Sequence, residues 1–381
     1  MRSLIKDIAL RYARSAQVEE LDLLRTLAQI PAPSHHEERR ARFVRDWFER
    51  AGAQHVEVDS TKNVICHIND DGCRPIVVFA AHMDIAFDDT GALPLEEEDG
   101  GRVLRAPGVG DNTANLTNLL MATKYLLTNS VATEHSVLVV ANSCEEGLGN
   151  LDGTKALFQR YGNRITEYRS FDGYFGQCTN DAVGSHRFRI SCKTTGGHSF
   201  VDFGNLSAIK VLADVIEGLY EVELPLGPKT TFNIGTIAGG TTINSIAESA
   251  DMLYEYRSSL DSSLEYMRLY LDEILARYSG PEVTIELKTL GIRPGNGELD
   301  NEIINEFTEK SDDAIREILD MEPDHSPFST DSNIPLSMGI AANTIGTVRG
   351  GSPHTYEEWI ETKSLESGLA LVLALMLGYA Q

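Results

Sequence analysis

Four stretches of this 381-residue chain, the first two of them continuous apolar runs, each lead into side chains that can bind a metal ion. They are residues 75–81 before His82 and Asp84, residues 137–141 before Glu145 and Glu146, residues 170–171 before Asp172, and residues 341–346 before His354. In open α/β sheets, ligands bind at the carboxyl ends of the strands. Imidazole and carboxylate together are typical ligands of zinc, and also suit manganese or cobalt. The order of these residues therefore predicts a metal centre along one sheet edge.

The segments between these stretches predict the fold class. They are a helix to about Gln29, a helix over 37–50 that begins with a capping box of Ser34 and Glu37, strands between 56 and 85, a helix over 112–127 and a strand over 137–143. Such alternation is typical of an α/β fold. We expect a mixed, mostly parallel sheet with helices on both faces.

The pattern changes near Val183. The elements that follow are a strand over 186–193, a helix over 206–220, strands over 229–237 and 251–258, a helix over 262–278 and a strand over 283–289. This βαββαβ order predicts a small antiparallel sheet with two helices on one face. Because α/β patterning returns at about Gly291, we expect an inserted α+β domain over 184–292 and a main domain made of residues 1–183 and 293–381.

Composition limits the possible partners. Acidic residues outnumber basic residues by 57 to 33, and the net charge of -24 argues against nucleic acid or an anionic membrane as a partner. No apolar stretch reaches the ~20 residues that a membrane-spanning helix needs. The five cysteines include no CxxC pair, which indicates a reducing compartment. We therefore expect a cytoplasmic enzyme.

The candidate ligands divide between two metal ions. Two divalent cations a few ångströms apart need a bridging carboxylate and further ligands on each side. Asp111 is the natural bridge, because the glycines that precede it let the main chain approach the metals closely. We expect His82 and Asp172 to complete one site, and Glu146 and His354 to complete the other.

Two carboxylates of the set remain for other roles. Asp84 lies on the same side of an extended chain as His82, so it can accept a hydrogen bond from the imidazole nitrogen that does not face the metal. Glu145 is adjacent to Glu146, whose charge a metal would neutralise. We expect Glu145 to be the general base that takes a proton from the metal-bridging water and later delivers it to the leaving amine.

Eight motifs along the chain carry a family resemblance. They are AAHMD, GVGDN, SCEEGLGNLDG, FDG, GGHS at 196–199, GGTTINSIAES at 239–249, FSTDSN at 328–333 and GGSPHTYEEWI at 350–360. With these motifs in this order, the chain resembles the M20 family of metallopeptidases and amidohydrolases, and in particular its peptidase T-like branch. The resemblance implies a fold of the zinc-peptidase type and two divalent metal ions, zinc or alternatively cobalt or manganese, as cofactors.

The resemblance also implies roles in the inserted domain, which would be the lid and dimerisation domain of a homodimer. His198 would donate to the tetrahedral oxyanion from the partner subunit, and Asn244 would add a polar contact there. Arg257 and Arg293 become candidates for binding a substrate carboxylate. The bond after the bridging Asp111 is expected to be cis. Many relatives read Asp-Asp-Lys where this chain reads Asp-Asn-Thr, which leaves the metal-binding carboxylate in place but the subfamily open.

These four side chains also have plain structural interpretations. His198 follows two glycines and fits a turn, as does Asn244. Arg257 closes a predicted strand, where a surface ion pair is common. Arg293 precedes a proline at the domain crossing, where a hinge contact competes with ligand binding.

Three functions are compatible with this set of residues. The first is hydrolysis of an amide bond in short peptides, as a di- or tripeptidase of the aminopeptidase type. The second is an N-acyl-amino-acid amidohydrolase with the same site. The third is a catalytically silent binding protein, which predicts loss of Glu145 or of a metal ligand, and none is missing. The substrate side chains and the physiological metal stay open.

Overall fold

The computed structural model of the chain describes residues 3–298 and 300–381. Its α-helices are α1 (Ser3–Ala28), α2 (Glu38–Arg50), α3 (Asn115–Thr128), α4 (Asp152–Tyr161), α5 (Ala208–Tyr220), α6 (Asp261–Tyr278), α7 (Asn301–Leu319), α8 (Asn333–Ser337) and α9 (Ser364–Leu377). Contacts divide the chain into two compact units, which are Met1–Ala182 with Gly297–Gln381, and Val183–Asn296.

The strands are short at the periphery and longer in the sheet centres. They are β1 (Val56–Val58), β2 (Val64–Ile68), β3 (Ile76–His82), β4 (Glu96–Glu98), β5 (Val103–Arg105), β6 (Ser136–Asn142), β7 (Ile165–Phe171), β8 (Cys178–Thr179), β9 (Gly184–Lys193), β10 (Gly197–His198), β11 (Thr231–Gly239), β12 (Ser245–Ile246), β13 (Ser249–Ser258), β14 (Thr284–Arg293), β15 (Ala341–Ile345), β16 (Gly350–Gly351) and β17 (Trp359–Glu361).

The first unit is built on a seven-stranded sheet in the order β1-β2-β6-β3-β7-β15-β8. The four central strands, β6, β3, β7 and β15, are parallel neighbours. The outer strands pair antiparallel. The predicted fold class, a mixed and mostly parallel sheet covered by helices, is confirmed.

Burial on both faces explains why the central strands are continuous apolar runs. Successive side chains of β3 point to opposite faces, so Val77 and Phe79 pack in one core with residues of α1, α3 and α9. Ile76 and Val78 pack in a second core with residues of α4, α7 and α8. The polar side chains that follow each run are therefore left at the carboxyl edge of the sheet.

A smaller antiparallel sheet in the order β16-β17-β5-β4 belongs to the same unit. The pairing of β17 with β5 aligns Ile360 with Leu104. β5 leads into the loop that carries Asp111, and the chain between β16 and β17 carries His354. This sheet thus brings together two loops that are distant in sequence.

The second unit has a four-stranded antiparallel sheet in the order β11-β13-β9-β14. α5 and α6 pack on one face of it, with Phe188, Leu212, Tyr254 and Met267 in the shared core. β11 and β14 are the edge strands, and most residues of β11 are exposed. Across both units, no helix of the described residues combines the length and the apolar character that crossing a membrane requires.

Candidate metal centre

The predicted ligands lie at the carboxyl edge of the central sheet. β3 ends at His82, and β7 ends just before Asp172. β6 ends just before the turn that carries Glu146. Because these strands are parallel neighbours, their ends lie side by side. The side chains at these strand ends form two groups of three residues together with Asp111 and His354. Within each group, the candidate ligand atoms lie within 4.8 Å of one another.

The first group is His82, Asp111 and Asp172. Nε2 of His82 lies 3.2 Å from Oδ1 of Asp111 and 3.7 Å from Oδ1 of Asp172. Nδ1 of the same ring lies 3.1 Å from the main-chain oxygen of Asp84. A carbonyl oxygen can only accept, so Nδ1 carries a proton and, in the neutral ring, Nε2 presents its lone pair to two carboxylates.

Charge in this group favours a cation. Burial disfavours the imidazolium form, yet the carboxylates of Asp111 and Asp172 raise the pKa of His82 well above its usual value. A proton shared between the ring and these carboxylates occupies the position that a divalent cation would take, and metal ligands lose such protons on binding. The chemistry of the three side chains fits a metal ion.

The second group is Asp111, Glu146 and His354. Nε2 of His354 lies 3.1 Å from Oδ2 of Asp111 and 3.3 Å from Oε2 of Glu146. Oε1 of Glu146 is buried and has no hydrogen-bond partner among residues 3–298 and 300–381. Burial, with repulsion from Asp111, raises the pKa of Glu146 to about 7. A second cation would satisfy the buried oxygen and neutralise this cluster of negative charge.

Asp111 is common to both groups and offers one carboxylate oxygen to each. It lies in a tight turn after Gly108, whose φ of 69° suits glycine. A side chain at Gly108 would also come within 2.5 Å of Ile85. The expected cis peptide bond between Asp111 and Asn112 is confirmed.

Asp84 contacts His82 differently from our expectation. Nδ1 of His82 is nearer to the main-chain oxygen of Asp84 than to its carboxylate, which lies at 3.5 Å. The carboxylate instead accepts hydrogen bonds from the main-chain N–H groups of Glu145 at 3.0 Å and Glu146 at 2.8 Å, and from Oγ of Ser34 at 2.7 Å. These three donors orient the carboxylate toward the turn after β6.

The predicted capping box of Ser34 and Glu37 is wrong. α2 begins at Glu38, and Glu37 makes no side-chain capping bond. The buried carboxylate of Glu37 accepts hydrogen bonds from the main-chain N–H groups of His35 at 2.9 Å and Cys144 at 3.1 Å. Both side chains that fit a local helix signal are therefore engaged with the metal-site loops.

Glu145 is buried in the same turn, with only 6% of its surface exposed. One of its carboxylate oxygens groups with candidate ligand atoms of His82 and Glu146 within 4.8 Å. Its main-chain N–H is held by Asp84, and the amide before it is held by Glu37. The carboxylate of Glu145 therefore lies beside candidate metal ligands, and buried carboxylates hold the main chain that carries it.

The remaining predicted site residues lie in the second unit. His198 is exposed on β10, which pairs with β12. Its Nδ1 lies 3.2 Å and 3.3 Å from the main-chain nitrogens of Phe200 and Val201, so it accepts and Nε2 carries the proton of the neutral ring. Asn244 is also exposed. It lies beside His198, because its main-chain oxygen accepts a hydrogen bond from the N–H of the next residue, Ser199, at 3.1 Å.

Arg257 and Arg293 lie in one row across the second sheet. Each aligns with Ser185, Arg257 from β13 and Arg293 from β14, so the two arginines point to the same face. Arg257 makes two contacts with Glu255, at 3.1 Å and 3.2 Å, as the ion-pair interpretation expects. Arg293 is buried, with 4% of its surface exposed.

Comparison with known proteins establishes the family. Residues 78–378 match the sequence profile of peptidase family M20/M25/M40. The chain therefore belongs to this family, whose members are metal-dependent hydrolases of peptide and related amide bonds, and it is a metallopeptidase. The resemblance deduced from the motifs is confirmed.

Individual relatives cover nearly the whole chain. The uncharacterized protein YqjE of Bacillus subtilis (strain 168) is 25% identical over 377 residues, which are 92% of this chain and 95% of that protein. The crystal structure of aminopeptidase PepT from Bacillus cereus matches with a TM-score of 0.70 and 21% identity. That of a tripeptidase from Staphylococcus aureus matches with a TM-score of 0.74 and 20% identity. Each structural match covers 94% of this chain and 97% of the other.

Two buried glutamates contact the loops of the candidate site, and the sequence predicted neither contact. The sequence predicts a helix cap at Glu37, whereas its carboxylate accepts a hydrogen bond from the main-chain N–H of Cys144. Glu358 belongs to the GGSPHTYEEWI motif, which predicts no individual role for it, whereas its carboxylate accepts a hydrogen bond from the main-chain N–H of Asp111. The Glu358 position in a family motif was the one sequence signal available, and no local pattern pointed to either contact.

Proposed function

We propose that the chain is a dinuclear metallopeptidase that removes the N-terminal residue of di- or tripeptides. The observation that supports this most is the shared Asp111, whose two oxygens face His82 at 3.2 Å and His354 at 3.1 Å. The names of the similar structures, an aminopeptidase and a tripeptidase, favour a short peptide as the substrate. Zinc is the proposed metal, with cobalt or manganese as alternatives.

Each side chain then has a chemical role. The residues that would hold the two ions are His82, Asp111, Glu146, Asp172 and His354. Two divalent ions held there would supply Lewis acidity toward the scissile carbonyl and would lower the pKa of water. Glu145 accepts a proton from the water that attacks the carbonyl carbon, and it delivers that proton to the amine nitrogen as the carbon–nitrogen bond breaks. Asp84 and Glu37 keep the turn of Glu145 in place.

His198 is the proposed donor to the oxyanion, acting at the metals of a partner subunit. Its tautomer supports this role, because Nδ1 accepts two main-chain hydrogen bonds and leaves Nε2–H as the donor. Asn244, held next to it, supplies a second polar group. Next to His198, Phe200 and Phe203 are 86% and 89% exposed, which favours a surface that a second copy covers. We therefore include a homodimer in the proposal.

Arg257 and Arg293 are the proposed contacts of the substrate carboxylate. Their position in one row on the same sheet face supports a joint role, because an arginine pair suits a carboxylate. The ion pair with Glu255 would have to exchange for the substrate carboxylate at Arg257. Amidation of the C-terminus of a tripeptide should then raise KM sharply and change kcat little. Equal KM values for the free and amidated tripeptides would remove both arginines from the proposal.

The proposed reaction is tested by comparing matched substrates on one preparation. Metal-depleted protein is assayed against a tripeptide, its N-acetylated form and an N-acetyl amino acid, with Zn²⁺, Co²⁺ or Mn²⁺ added back. We expect cleavage of the free tripeptide only after metal is restored, with release of the first residue. Faster hydrolysis of the N-acetyl amino acid would instead identify a deacylase. Full activity without metal would exclude both the metallopeptidase and the metal-dependent deacylase.

A further inference from the structure

Glu358 has a buried carboxylate that accepts hydrogen bonds from the loop leading to Asp111. Its side chain is 0% exposed. Oε1 accepts hydrogen bonds from the main-chain N–H groups of Gly110 at 2.8 Å and Asp111 at 2.7 Å, and Oε2 accepts from the N–H of Gly108 at 2.9 Å. One carboxylate thus satisfies three main-chain donors on the approach to the shared Asp111, and it binds the amide of Asp111 itself.

The loop is shaped to wrap around this carboxylate. Gly108 has a left-handed φ of 69°, and its N–H donates to the second oxygen. At Gly110 a side chain would come within 3.1 Å of Oε1 of Glu358 and 2.8 Å of the Tyr174 ring. Two of the glycines that bring Asp111 close to its partners are thus also those that allow contact with Glu358.

A second contact ties the two segments together. The main-chain N–H of Ala106 donates to the main-chain oxygen of Glu358 at 3.1 Å, extending the pairing of β5 with β17. The segment from His354 to Glu358 therefore acts on Asp111 twice. His354 faces Oδ2 of its side chain, and Glu358 holds its main chain.

We propose that Glu358 is a positioning residue that sets the orientation of Asp111 toward both metal ions, a role that rests on the dinuclear centre proposed above. Asp111 offers Oδ1 to the His82 group and Oδ2 to the His354 group. A change in the path of its main chain moves both oxygens at once. Loss of Glu358 therefore weakens both sites together, whereas loss of a terminal ligand such as His354 weakens mainly one.

The requirement for a carboxylate follows from the number of donors. A glutamine at 358 keeps the length of the side chain but has one acceptor oxygen, and its NH2 group would face a main-chain N–H. Glu358→Gln should therefore retain part of the contact and Glu358→Ala none of it. The neighbouring Glu357→Gln is the matched control, because the Glu357 side chain is 80% exposed and lies 3.7 Å from Arg105 on the surface.

The test measures metal binding by the full-length protein without reference to turnover. Metal-free wild type, Glu358→Gln, Glu358→Ala, Glu357→Gln and His354→Ala are titrated with Co²⁺ by calorimetry and by the visible Co²⁺ spectrum. We expect both dissociation constants to rise by about 10–100-fold in the Glu358 variants, with Gln milder than Ala, and to be unchanged in Glu357→Gln. His354→Ala should raise mainly one of them.

Further measurements separate positioning from folding. The metal-free Glu358 variants should remain folded, as circular dichroism would show, and their kcat should fall with little change in KM. Should Glu358→Ala not fold, Glu358→Gln and Gly110→Ala, which displaces the same loop, provide the comparison. Two unchanged dissociation constants in folded Glu358→Gln and Glu358→Ala would overturn the positioning role alone. A wild type that binds no pair of ions would overturn the dinuclear centre, and this role with it.

Discussion

The carboxylate of Asp84 accepts a hydrogen bond at 3.0 Å from the main-chain N–H of Glu145, and so connects the strand end of one metal ligand to the turn of the proposed base. Its second oxygen accepts from the next amide at 2.8 Å. Since Asp84 lies two residues after His82 at the same strand end, a single buried side chain connects the first candidate metal site to the proposed base.

Asp84→Asn should test this connection. An asparagine has one acceptor oxygen, so its NH2 group would face the N–H of Glu145 or Glu146 and displace the turn. We expect kcat to fall by about 10–100-fold with little change in KM. Steady-state kinetics measure it, with the exposed Asp7→Asn on α1 as the control. Wild-type kcat in folded Asp84→Asn would show that the contact is not needed.

Glu145→Gln should separate proton transfer from metal binding. The amide keeps the size of the side chain but cannot accept a proton from water, and general acid–base groups contribute typically ~10²–10⁴-fold. We expect at least that loss in kcat, with both metal ions and substrate affinity retained. Metal analysis and single-turnover kinetics check the two parts. Near-normal turnover would assign the base to another residue.

His198→Ala should lower kcat by about 10²–10³-fold in a folded protein, because an oxyanion donor acts only in the transition state. If the donor comes from the partner subunit, mixing Glu145→Gln with His198→Ala restores activity, since a mixed dimer holds one site with both residues. Activity of the mixture after subunit exchange is the measurement. A fully active monomer, or confirmed mixed dimers without activity, would place His198 outside the partner's site.

Glu20→Gln should make stability less dependent on pH. Glu20 is fully buried on α1, and neither of its carboxylate oxygens has a hydrogen-bond partner in the described part of the chain. Burial, with a contribution from Glu366, raises the pKa of Glu20 to about 8. The unfolded chain ionises near the ordinary value of about 4.3, so the folded state loses relative stability as the pH rises from there to about 8.

The variant should therefore gain thermal stability over the wild type by a few degrees at pH 8, and by much less at pH 5. Thermal midpoints of metal-free protein at several pH values measure this difference. Glu19→Gln is the control, because Glu19 is half exposed and pairs with Lys124 on the surface. A constant difference between Glu20→Gln and wild type across this range would show that Glu20 is ionised in the folded protein.

The sequence predicts much of the grouping in the candidate site because the candidate ligands follow buried strands. The continuous apolar run of β3 indicated a central strand, and parallel neighbours necessarily share a carboxyl edge. The capping-box prediction for Ser34 and Glu37 is wrong because these residues match a local helix signal. Their hydrogen-bond partners, Asp84 and Cys144, are far along the chain. The signal describes one helix, but hydrogen bonds formed only in the folded unit decide where these side chains point.

Glu358 illustrates the same limit. Its contact with the amide of Asp111 spans 247 positions and exists only because β17 pairs with β5. These strands are three residues long, too short for a periodic pattern to identify. The hydrogen bond from His82 to the main-chain oxygen of Asp84 was unpredictable for a related reason, since sequence patterns identify side chains and not the carbonyl that a turn exposes.

The most direct test of the central claim is the number of metal ions that each protein binds. Metal-depleted wild type, Asp111→Ala and His354→Ala are dialysed against Zn²⁺ and the bound zinc is counted by elemental analysis. Because Asp111 offers one oxygen to each group, we predict two ions in the wild type, weakened binding at both sites in Asp111→Ala, and loss of mainly one ion in His354→Ala. A wild type without bound metal, whose peptide hydrolysis is unaffected by chelator, would contradict the account.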